Sequence, residues 1–594
     1  MLVDCQREFL GSAQQPARGL HPSPSLLIRS IAEWLQHFRQ RQCPVAHVYT
    51  TVPAGHPGMP HWPEPRCLEG TASQDVPRAL EPLPEEAIFR KTTFSPFVEH
   101  ALDTWLRQRG VERLILVGLH LHACLRLTAQ DAYQRGFRVA IGEGAWGSDD
   151  PLLAASTWRY LRSRGIAEAR RLQAETYHLC PRSGRRLFRY AQSRVPAFPA
   201  SWPGWEPAIY ERLCDSWQEV APRLQLGLET DLGKSTRAAA GEIAFGGALL
   251  AECGKLEARS DKRPLGRVAL VTPFNNPVAI PLGKLLPGLI LGNSIVWKPA
   301  PPAARISRLL MSWLREAGVK PHRLQLVQGD SQTAQELARH PQVQALSLSG
   351  GLSAGWALGE LCWREGKPFQ AELGGNNACL WWERGQGSEV AREVVESAFG
   401  FAGQRCTATS RLYVPAKKLP QRLQLLQEAT RAFGWECGPM ISASASWRAE
   451  AMVQGALECG ARVHRPLSQH PGRGHYFSPA LVEGCQTGWE IAQVENFAPI
   501  LVVMGCQSFD AALAEVNAVP QGLVASLYSP SARRWQKFRE QIHCGVLKWN
   551  QPTATVAAHQ PFGGWKASGW GPPEHGAGDL EFWTRWQTHY GGPR

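Results

Sequence analysis

The fold of this chain is decided by the stretch Phe399-Gly-Phe-Ala-Gly-Gln-Arg-Cys-Thr-Ala-Thr-Ser-Arg411. An amphipathic segment, Glu389 to Ser397, precedes it, and a strand-like run, Arg411 to Val414, follows it. Its cysteine, Cys406, therefore stands in a turn lined by glycine and alanine, where little side-chain bulk blocks access to the sulfur. A thiol attacks only as the thiolate, and the neighbouring Arg405 is consistent with the electropositive setting that a reactive cysteine needs. The stretch predicts a nucleophilic cysteine between a helix and a strand.

Three other motifs accompany this stretch along the chain. Glu372 directly precedes the paired glycines of Leu-Gly-Gly-Asn-Asn. Further upstream, the apolar strand Val268 to Thr272 ends in Pro-Phe-Asn-Asn-Pro, whose first asparagine is Asn275. Near the end of the chain comes Pro561-Phe-Gly-Gly-Trp-Lys-Ala-Ser-Gly569. Each motif is a weak signal by itself, whereas four in this order, with Glu372 before Cys406, make a strong one.

Together these motifs resemble the NAD(P)-dependent aldehyde dehydrogenase superfamily over a region that begins near residue 205 and extends to the C-terminus. Their sequences are most similar to the N-succinylglutamate semialdehyde dehydrogenase branch. The resemblance implies an aldehyde dehydrogenase fold, which combines a Rossmann-type cofactor domain with an α/β catalytic domain.

The same resemblance implies a role for each of three residues. Cys406 attacks the aldehyde and becomes a thioester after hydride transfer, while the Asn275 amide and the Cys406 backbone N–H stabilise the oxyanion. Glu372 activates the water that hydrolyses the thioester. Two of the roles have a structural alternative: Asn275 could form a turn before Pro277, and Glu372 could be half of a buried ion pair.

The resemblance also implies a nicotinamide cofactor, with NAD as the default. NADP stays open because Pro301 stands where relatives usually carry Glu or Ser, and Gly351 and Asn276 replace the usual Ser and Phe. Lys298, at the end of a predicted strand, is expected to reach the adenosine ribose, and the turn that starts at Gly350 could present N–H groups to the pyrophosphate. The expected cofactor contacts are Thr272, Pro273, Phe274, Lys298, Gly329, Gly350, Gly351, Glu495 and Phe497.

Residues 1–178 alternate short apolar runs with helical patterns, which predicts βαβ units and a parallel sheet with flanking helices. The candidate strands are Met1 to Val3, Val45 to Tyr49, Ala87 to Phe89, Arg113 to Val117 and Phe137 to Ile141. Residues 179–204, rich in Arg, Pro and Trp, are interpreted as a linker. Beyond it, residues 205–375 and 551–594 are predicted to form the cofactor-binding part and residues 376–550 the part with the catalytic thiol.

Three chemically useful side chains fall at the ends of strands in the first segment: Asp4, Lys91 and Cys124. Ligands of open parallel sheets bind outside the carboxyl ends of the strands. Cys124 also opens a predicted helix, whose free N–H groups and dipole favour a thiolate. A carboxylate, a lysine and a thiol together suit acyl transfer. The alternative is a strand-end cap, a surface charge and a buried thiol, and the joint placement of the three residues disfavours it.

This set resembles the isochorismatase-like cysteine hydrolases across the whole first segment. The motifs that carry the resemblance are Val-Asp4-Cys-Gln-Arg-Glu-Phe, Glu69-Gly-Thr, Arg-Lys91-Thr-Thr-Phe-Ser-Pro-Phe and Gly118 to Ala132. The resemblance implies that Cys124 attacks an amide or carbamoyl-type C–N bond, with Asp4 as general base and Lys91 in support.

Two features depart from that family. Only Met1 to Val3 precede Asp4, which is short for a central strand, so we expect a truncated N-terminus. His56 and His61 stand in a Pro/Gly loop without the aspartate that metal-binding relatives carry, and loop histidines are more often solvated than ligands. No metal is therefore expected.

Composition limits the class of protein. The 594 residues carry a net charge of +13, and 44% of them are hydrophobic. No apolar run reaches the length of about eighteen residues that a membrane span needs. Fifteen cysteines without a CxxC pair indicate a reducing compartment, and the first residues lack a signal-peptide layout, so a cytoplasmic location is expected. No nucleic-acid module is present. The expected partners are small-molecule aldehyde and amide-type substrates and a second copy of the chain in a homodimer, although Glu257 to Pro264 is short for an oligomerisation hairpin.

The combined prediction is a fused enzyme, with a cysteine hydrolase followed by an aldehyde dehydrogenase whose expected substrate is a semialdehyde. One alternative keeps the dehydrogenase and makes the first domain a non-catalytic docking or oligomerisation module. Another is a binding or structural role for the whole chain, against which the joint presence of Cys406, Glu372 and Asn275 argues.

Overall fold

The chain folds into two compact units, Met1–Glu175 and Thr176–Arg594. The computed structural model describes residues 1–10, 20, 24–53, 67–71, 74–170, 177–183, 186–189, 205–257, 259, 261–383, 387–468 and 474–590.

The first unit is built on a parallel sheet with helices packed around it. Its strands are β1 (Leu2–Val3), β2 (Ala46–Thr50), β3 (Ala87–Lys91), β4 (Arg113–Leu119), β5 (Arg138–Gly147) and β6 (Glu168–Arg170). Its helices are α1 (Arg7–Leu10), α2 (Pro24–Gln40), α3 (His100–Gln108), α4 (Arg126–Gln134) and α5 (Pro151–Ser163).

The strand order is β3-β2-β1-β4-β5-β6, and every pairing is parallel. The predicted parallel sheet is therefore confirmed. The two-residue β1 lies at its centre, where Leu2 pairs with both His47 and Val117. Apolar side chains of the sheet, such as Val3 and Ile141, are buried. The next residue, Asp4, consequently emerges at the middle of the sheet's carboxyl edge.

The second unit contains two larger sheets and their helices. Its helices are α6 (Pro207–Leu232), α7 (Thr236–Cys253), α8 (Ala279–Ile290), α9 (Ala304–Glu316), α10 (Ser331–Arg339), α11 (Leu352–Arg364), α12 (Gly387–Phe399), α13 (Leu419–Phe433), α14 (Ala443–Glu458), α15 (Glu490–Gln493), α16 (Phe509–Asn517), α17 (Ala532–Gln541) and α18 (Ala577–Trp583). Its strands are β7 (Tyr177–Leu179), β8 (Arg186–Arg189), β9 (Lys262–Pro264), β10 (Arg267–Thr272), β11 (Ser294–Pro299), β12 (Leu324–Leu326), β13 (Ala345–Ser349), β14 (Phe369–Glu372), β15 (Asn377–Trp381), β16 (Thr409–Pro415), β17 (Arg462–His464), β18 (Ala480–Glu483), β19 (Ile500–Cys506), β20 (Gln521–Gly522), β21 (Val524–Tyr528), β22 (Val546–Trp549), β23 (Trp565–Lys566), β24 (Gly569–Trp570) and β25 (Thr584–Trp586).

The first sheet of this unit has the order β12-β11-β10-β13-β14-β24. Its first five strands are parallel, and β24, from the end of the chain, joins antiparallel. All six residues of β10 are buried, as expected for a central strand whose two faces are both covered. The sheet therefore presents the ends of four neighbouring parallel strands, β12, β11, β10 and β13, along one edge.

The other large sheet has the order β17-β18-β19-β16-β15-β21-β22, with only β17 antiparallel. Between α12 and β16 the chain makes a tight turn, in which Phe401 and Ala402 both have a φ of 52°. Residues other than glycine seldom adopt this left-handed conformation, and such strain concentrates at functional sites. Cys406 follows this turn, so it lies between a helix and a strand, the position that the sequence predicts.

Two smaller pairings involve segments that the sequence singled out. Strand β8 lies within the predicted linker and pairs antiparallel with β7, and residues 190–204 of that linker lie outside the described residues. Strand β9, from the segment that is short for an oligomerisation hairpin, pairs with β25 of the same chain. None of the helices in the described ranges is both long and apolar enough to cross a membrane.

Candidate active sites

The Cys406 thiol is held in a neutral state. Burial raises its pKa to about 12, and the negative charges of Glu495, Glu372 and Glu574 add to the rise. The structure thus differs from the expectation of an electropositive setting, because burial of the thiol, and after it the surrounding carboxylates, disfavours the thiolate. Arg405 itself is affected by the same desolvation, which lowers its pKa. The thiol must lose its proton during the reaction.

Glu372 lies at the end of β14 with 8% of its surface exposed. Its Oε2 accepts a hydrogen bond from the Gly564 N–H at 3.1 Å, which connects it to the Pro561–Gly569 motif. Burial and the charge of Glu574 raise its pKa well above the usual range. Among the described residues the ion pair at this place is Lys284–Glu574, at 2.5 Å, and Glu372 makes none. The salt-bridge alternative for Glu372 is therefore disfavoured.

Asn275 follows β10 and is 3% exposed. Its Oδ1 finds no hydrogen-bond partner in the described part of the chain. The next residue differs, because the Asn276 Oδ1 accepts a hydrogen bond from Lys234 Nζ at 2.9 Å. Oδ1 is an acceptor, whereas an oxyanion is held by the Nδ2 donor of the same amide. Because Lys234 fixes Asn276 and does not contact Asn275 in this way, the structure is consistent with Asn275 as the oxyanion donor.

The paired glycines Gly374 and Gly375 make room for two functional groups. A Cβ on Gly374 would collide with Glu495 Oε2, and one on Gly375 would lie 2.5 Å from the Cys406 carbonyl oxygen. The Glu495 Oε1 accepts a hydrogen bond from the Gly375 N–H at 3.1 Å, and burial raises the pKa of Glu495 to about 7. Asn377 Nδ2 donates to the same Cys406 carbonyl at 2.7 Å. The motif after Glu372 thus supports the turn that carries the thiol.

The expected cofactor residues fall on one edge of the β12-β11-β10-β13 sheet. Gly329 follows β12, Lys298 lies in β11 beside Val271 of β10, and Thr272, Pro273 and Phe274 end or follow β10. Gly350 and Gly351 follow β13 and start α11. This edge is where open α/β sheets bind nucleotides.

Three local features of that edge fit a nucleotide. A Cβ on Gly351 would meet no described atom within 4 Å, so the start of α11 is open. Lys298 is buried, and desolvation lowers its pKa to about 8. Facing this edge, Phe497 contacts Phe274 edge-to-face at 6.1 Å between ring centroids, and its own φ is 47°. These residues suit a flat, phosphate-bearing cofactor.

In the first unit, Asp4, Lys91 and Cys124 meet in a buried site. Lys91 Nζ lies 2.9 Å from Asp4 Oδ2 and 3.5 Å from Cys124 Sγ. Lys91 is only 2% exposed, which is incompatible with the surface-charge alternative. Cys124 lies in a π-helical turn, Leu121–Leu125, directly before α4. Burial and the charge of Asp4 raise its pKa to about 12 against the opposing effect of Lys91, so the helix start does not produce the expected thiolate.

The sequence did not point to several residues that complete these sites. Thr50 donates from both its N–H and its hydroxyl to Asp4 Oδ1, at 3.0 and 2.8 Å, and accepts from Lys91 Nζ at 2.7 Å. Lys284, which pairs with Glu574, is the one charged residue in the apolar helix α8. A charged residue in an apolar helix is the sequence feature that could have indicated it. His56 and His61, considered as metal ligands, lie outside the described residues.

The fold and the sites define a chain with two thiol centres, each in its own α/β unit. Residues 234–589 match the model of the aldehyde dehydrogenase family, and residues 1–169 match that of the isochorismatase domain. The first match covers more than half of the chain, and the chain therefore belongs to the aldehyde dehydrogenase family. Both family resemblances and the predicted fold class are confirmed.

Curated relatives and solved structures agree with this assignment. The 2,5-dioxopentanoate dehydrogenase of Saccharolobus solfataricus is 32% identical over 56% of this chain and 72% of the relative. An N-succinylglutamate 5-semialdehyde dehydrogenase of Caulobacter vibrioides is 32% identical over 52% of this chain and 68% of the relative. An NAD-dependent aldehyde dehydrogenase from Sinorhizobium meliloti superposes with a TM-score of 0.65 at 24% identity, over 69% of this chain and 90% of that structure, which shows the shared fold.

Proposed function

We propose that the second unit oxidises an aldehyde to a carboxylic acid through a thioester on Cys406. The observation that carries this proposal is the buried Glu372 carboxyl, which makes no ion pair among the described residues and acts electrostatically on the Cys406 thiol. The Nδ2 of the buried Asn275 is the donor that would hold the oxyanion during the reaction. A carboxyl free of a cation suits a general base.

We assign the proton movements to the solvent and to Glu372. The Cys406 thiol loses its proton to solvent, and the thiolate attacks the aldehyde carbon, while Asn275 together with the Cys406 N–H holds the resulting oxyanion. A bound NAD or NADP would supply the hydride acceptor at the β12-β11-β10-β13 edge. Glu372 then takes a proton from the water that attacks the thioester, and this proton passes to the Cys406 sulfur as the acid leaves.

We propose an aldehyde that carries a carboxylate, that is, a semialdehyde. The relatives named above act on dioxopentanoate and succinylglutamate semialdehyde, both of which are anionic. Arg405 supports the same class here, because this half-buried cation directly precedes Cys406 in the chain. Arginine is well suited to bind a carboxylate with two parallel hydrogen bonds.

A panel of aldehydes tests the second unit. Each aldehyde is assayed for NADH and NADPH formation, in matched pairs with and without a terminal carboxylate. We expect the carboxylate-bearing member of a pair to react with the higher kcat/KM, and Arg405→Met to remove that preference. Failure of every aldehyde with both nucleotides would contradict the proposed oxidation.

We propose that the first unit hydrolyses an amide or carbamoyl-type C–N bond with Cys124 as nucleophile. The buried Lys91, within reach of both Asp4 and Cys124, favours catalysis over a docking module, because a docking surface does not need a buried charged pair beside a thiol. Asp4 accepts the thiol proton, and the Lys91 charge stabilises the thiolate. Ammonia or amine release from an amide panel, absent in Cys124→Ala, tests this activity.

We also propose the wider organisation of the chain. Residues 1–178 form the hydrolase domain, 179–204 the linker, 205–375 with 551–594 the cofactor part, and 376–550 the thiol part. All fifteen cysteines are free, which supports a reducing, cytoplasmic location. A homodimer is proposed as the assembly of the chain. Sedimentation of the purified chain tests the dimer.

A further inference from the structure

A cluster outside both thiol sites brings together His120, His122 and Asp149. His120 Nδ1 lies 3.1 Å from Asp149 Oδ1, and His122 Nε2 lies 3.7 Å from the same oxygen. One ligand atom of each residue lies within 4.8 Å of the others. The histidine side chains are 12% and 19% exposed, whereas that of Asp149 is 47% exposed. The cluster is thus largely shielded from solvent on the histidine side and accessible to solvent on the carboxylate side.

The strand register brings these residues together. In the parallel pairing of β4 with β5, Leu119 lies opposite Gly147. The residues that follow the two strands therefore lie side by side. His120 and His122 belong to one of these segments, and Ser148 and Asp149 belong to the other. The carboxyl ends of neighbouring parallel strands are the usual place for ligands.

Ser148 holds the ring of His122. The Ser148 Oγ lies 2.6 Å from His122 Nδ1 and is also hydrogen-bonded to the carbonyl and the N–H of Asp150, at 3.0 and 3.1 Å. Because Nδ1 is engaged by Ser148, the other ring nitrogen, Nε2, is the one directed toward the Asp149 carboxylate. An imidazole nitrogen and a carboxylate oxygen are both metal ligands in proteins.

We propose that His120, His122 and Asp149 bind a divalent transition-metal ion, with Zn²⁺ as the ion of choice. Two imidazoles and one carboxylate form a three-ligand set that leaves a further coordination position open toward solvent. Ser148 orients His122 by binding its other ring nitrogen, the usual arrangement around a metal-bound histidine. This site differs from the His56 and His61 loop.

The ion has a definite structural consequence for the first unit. His122 belongs to the π-helical turn that also carries Cys124, and Asp149 belongs to the segment after β5. A metal bound by both segments fixes the turn against the end of β5. The ion therefore positions the thiol's turn, and the open coordination position is available to a water or to a carbonyl oxygen of a substrate.

Metal content of the full-length protein tests the proposal. The purified chain is stripped with a chelator, equilibrated with Zn²⁺ and analysed for metal per chain, beside Asp149→Asn and His120→Ala. Asp149→Asn is the deciding variant because it is isosteric and lies at a half-exposed position. His100→Ala, which removes an exposed histidine of α3, is the matched control. Circular dichroism verifies that each variant is folded.

We expect the wild type and His100→Ala to bind one more Zn²⁺ per chain than either cluster variant. Ser148→Ala should keep the stoichiometry but weaken the affinity about tenfold, as loss of an outer partner does. Co²⁺ in the same site should give ligand-field bands that Asp149→Asn abolishes, without a thiolate charge-transfer band. Equal metal content in wild type and Asp149→Asn, or a Co²⁺ spectrum that shows only thiolate ligation, would overturn the proposal.

Discussion

Lys234 joins the asparagine loop to the turn that carries the thiol. Its ammonium donates to Asn276 Oδ1 at 2.9 Å and lies 4.7 Å from the centroid of the Phe401 ring. The same ammonium pairs with Glu242 at 2.5 Å. One buried cation therefore fixes Asn276 but not its neighbour Asn275, and this asymmetry favours Asn275 as the proposed oxyanion donor.

The two asparagines should respond differently to truncation. Asn275→Ala removes an oxyanion donor, and we expect kcat to fall by about 10²–10³. Asn276→Ala removes a partner of Lys234, so it should lower stability while kcat changes by less than about tenfold. Steady-state kinetics and thermal unfolding of both variants measure these effects. Equal losses of kcat in the two variants would show that the assignment of Asn275 is wrong.

Glu372→Gln should separate the two halves of the oxidation. The thioester can still form, because Cys406 and Asn275 are intact, but its hydrolysis loses the general base and slows by about 10²–10⁴. Rapid mixing with aldehyde and NAD is then expected to show a burst of about one NADH per active site, followed by a slow steady state. As the control, Glu393→Gln alters a carboxylate that instead accepts from Tyr528. A Glu372→Gln enzyme without a burst would contradict a role confined to the second half.

The Asp4–Lys91 pair is predicted to be mutually dependent. Lys91→Met leaves a fully buried carboxylate without its cation, which typically costs about 3–5 kcal/mol. Adding Asp4→Asn removes that uncompensated charge, so the double variant should be more stable than Lys91→Met alone. Thermal unfolding of the single and double variants measures this coupling. Additive losses would indicate that the two groups do not interact as the structure has them.

Asp579 should make stability depend on pH. Burial raises its pKa to about 7, from about 3.9 in an unfolded chain. Between these values the folded state binds a proton that the unfolded state does not, so the unfolding free energy falls as pH rises from about 4 to about 7. Each unit of the pKa difference corresponds to about 1.4 kcal/mol.

Urea unfolding between pH 5 and 8 measures that dependence. Asp579→Asn is expected to flatten the decline, whereas Glu581→Gln, at an exposed position on the same helix, should leave it unchanged. Identical pH slopes in wild type and Asp579→Asn would contradict the raised pKa.

The sequence predicted those features that depend on local order along the chain. Strand ends placed Asp4, Lys91 and Cys124 at one edge, and the motif order placed Glu372 and Cys406 in one unit. What it could not supply was the protonation state of either thiol. That state depends on burial and on carboxylates such as Glu574, which becomes a neighbour only after the chain has folded.

Long-range register explains the other features that the sequence left hidden. The cluster of His120 with Asp149 depends on the pairing of β4 with β5, which joins residues about thirty positions apart. Likewise, the pairing of Lys284 with Glu574 joins α8 to a segment near the end of the chain. Neither residue pair has a sequence spacing that would have indicated its contact.

The most direct test of two independent thiol centres is a crossed assay of Cys406→Ser and Cys124→Ala in the full-length protein. NAD(P)H formation from an aldehyde and amine release from an amide are measured on the same preparations. We predict that Cys406→Ser abolishes only the first activity and Cys124→Ala only the second. Full NAD(P)H formation by Cys406→Ser, or unchanged amine release by Cys124→Ala, would contradict the account.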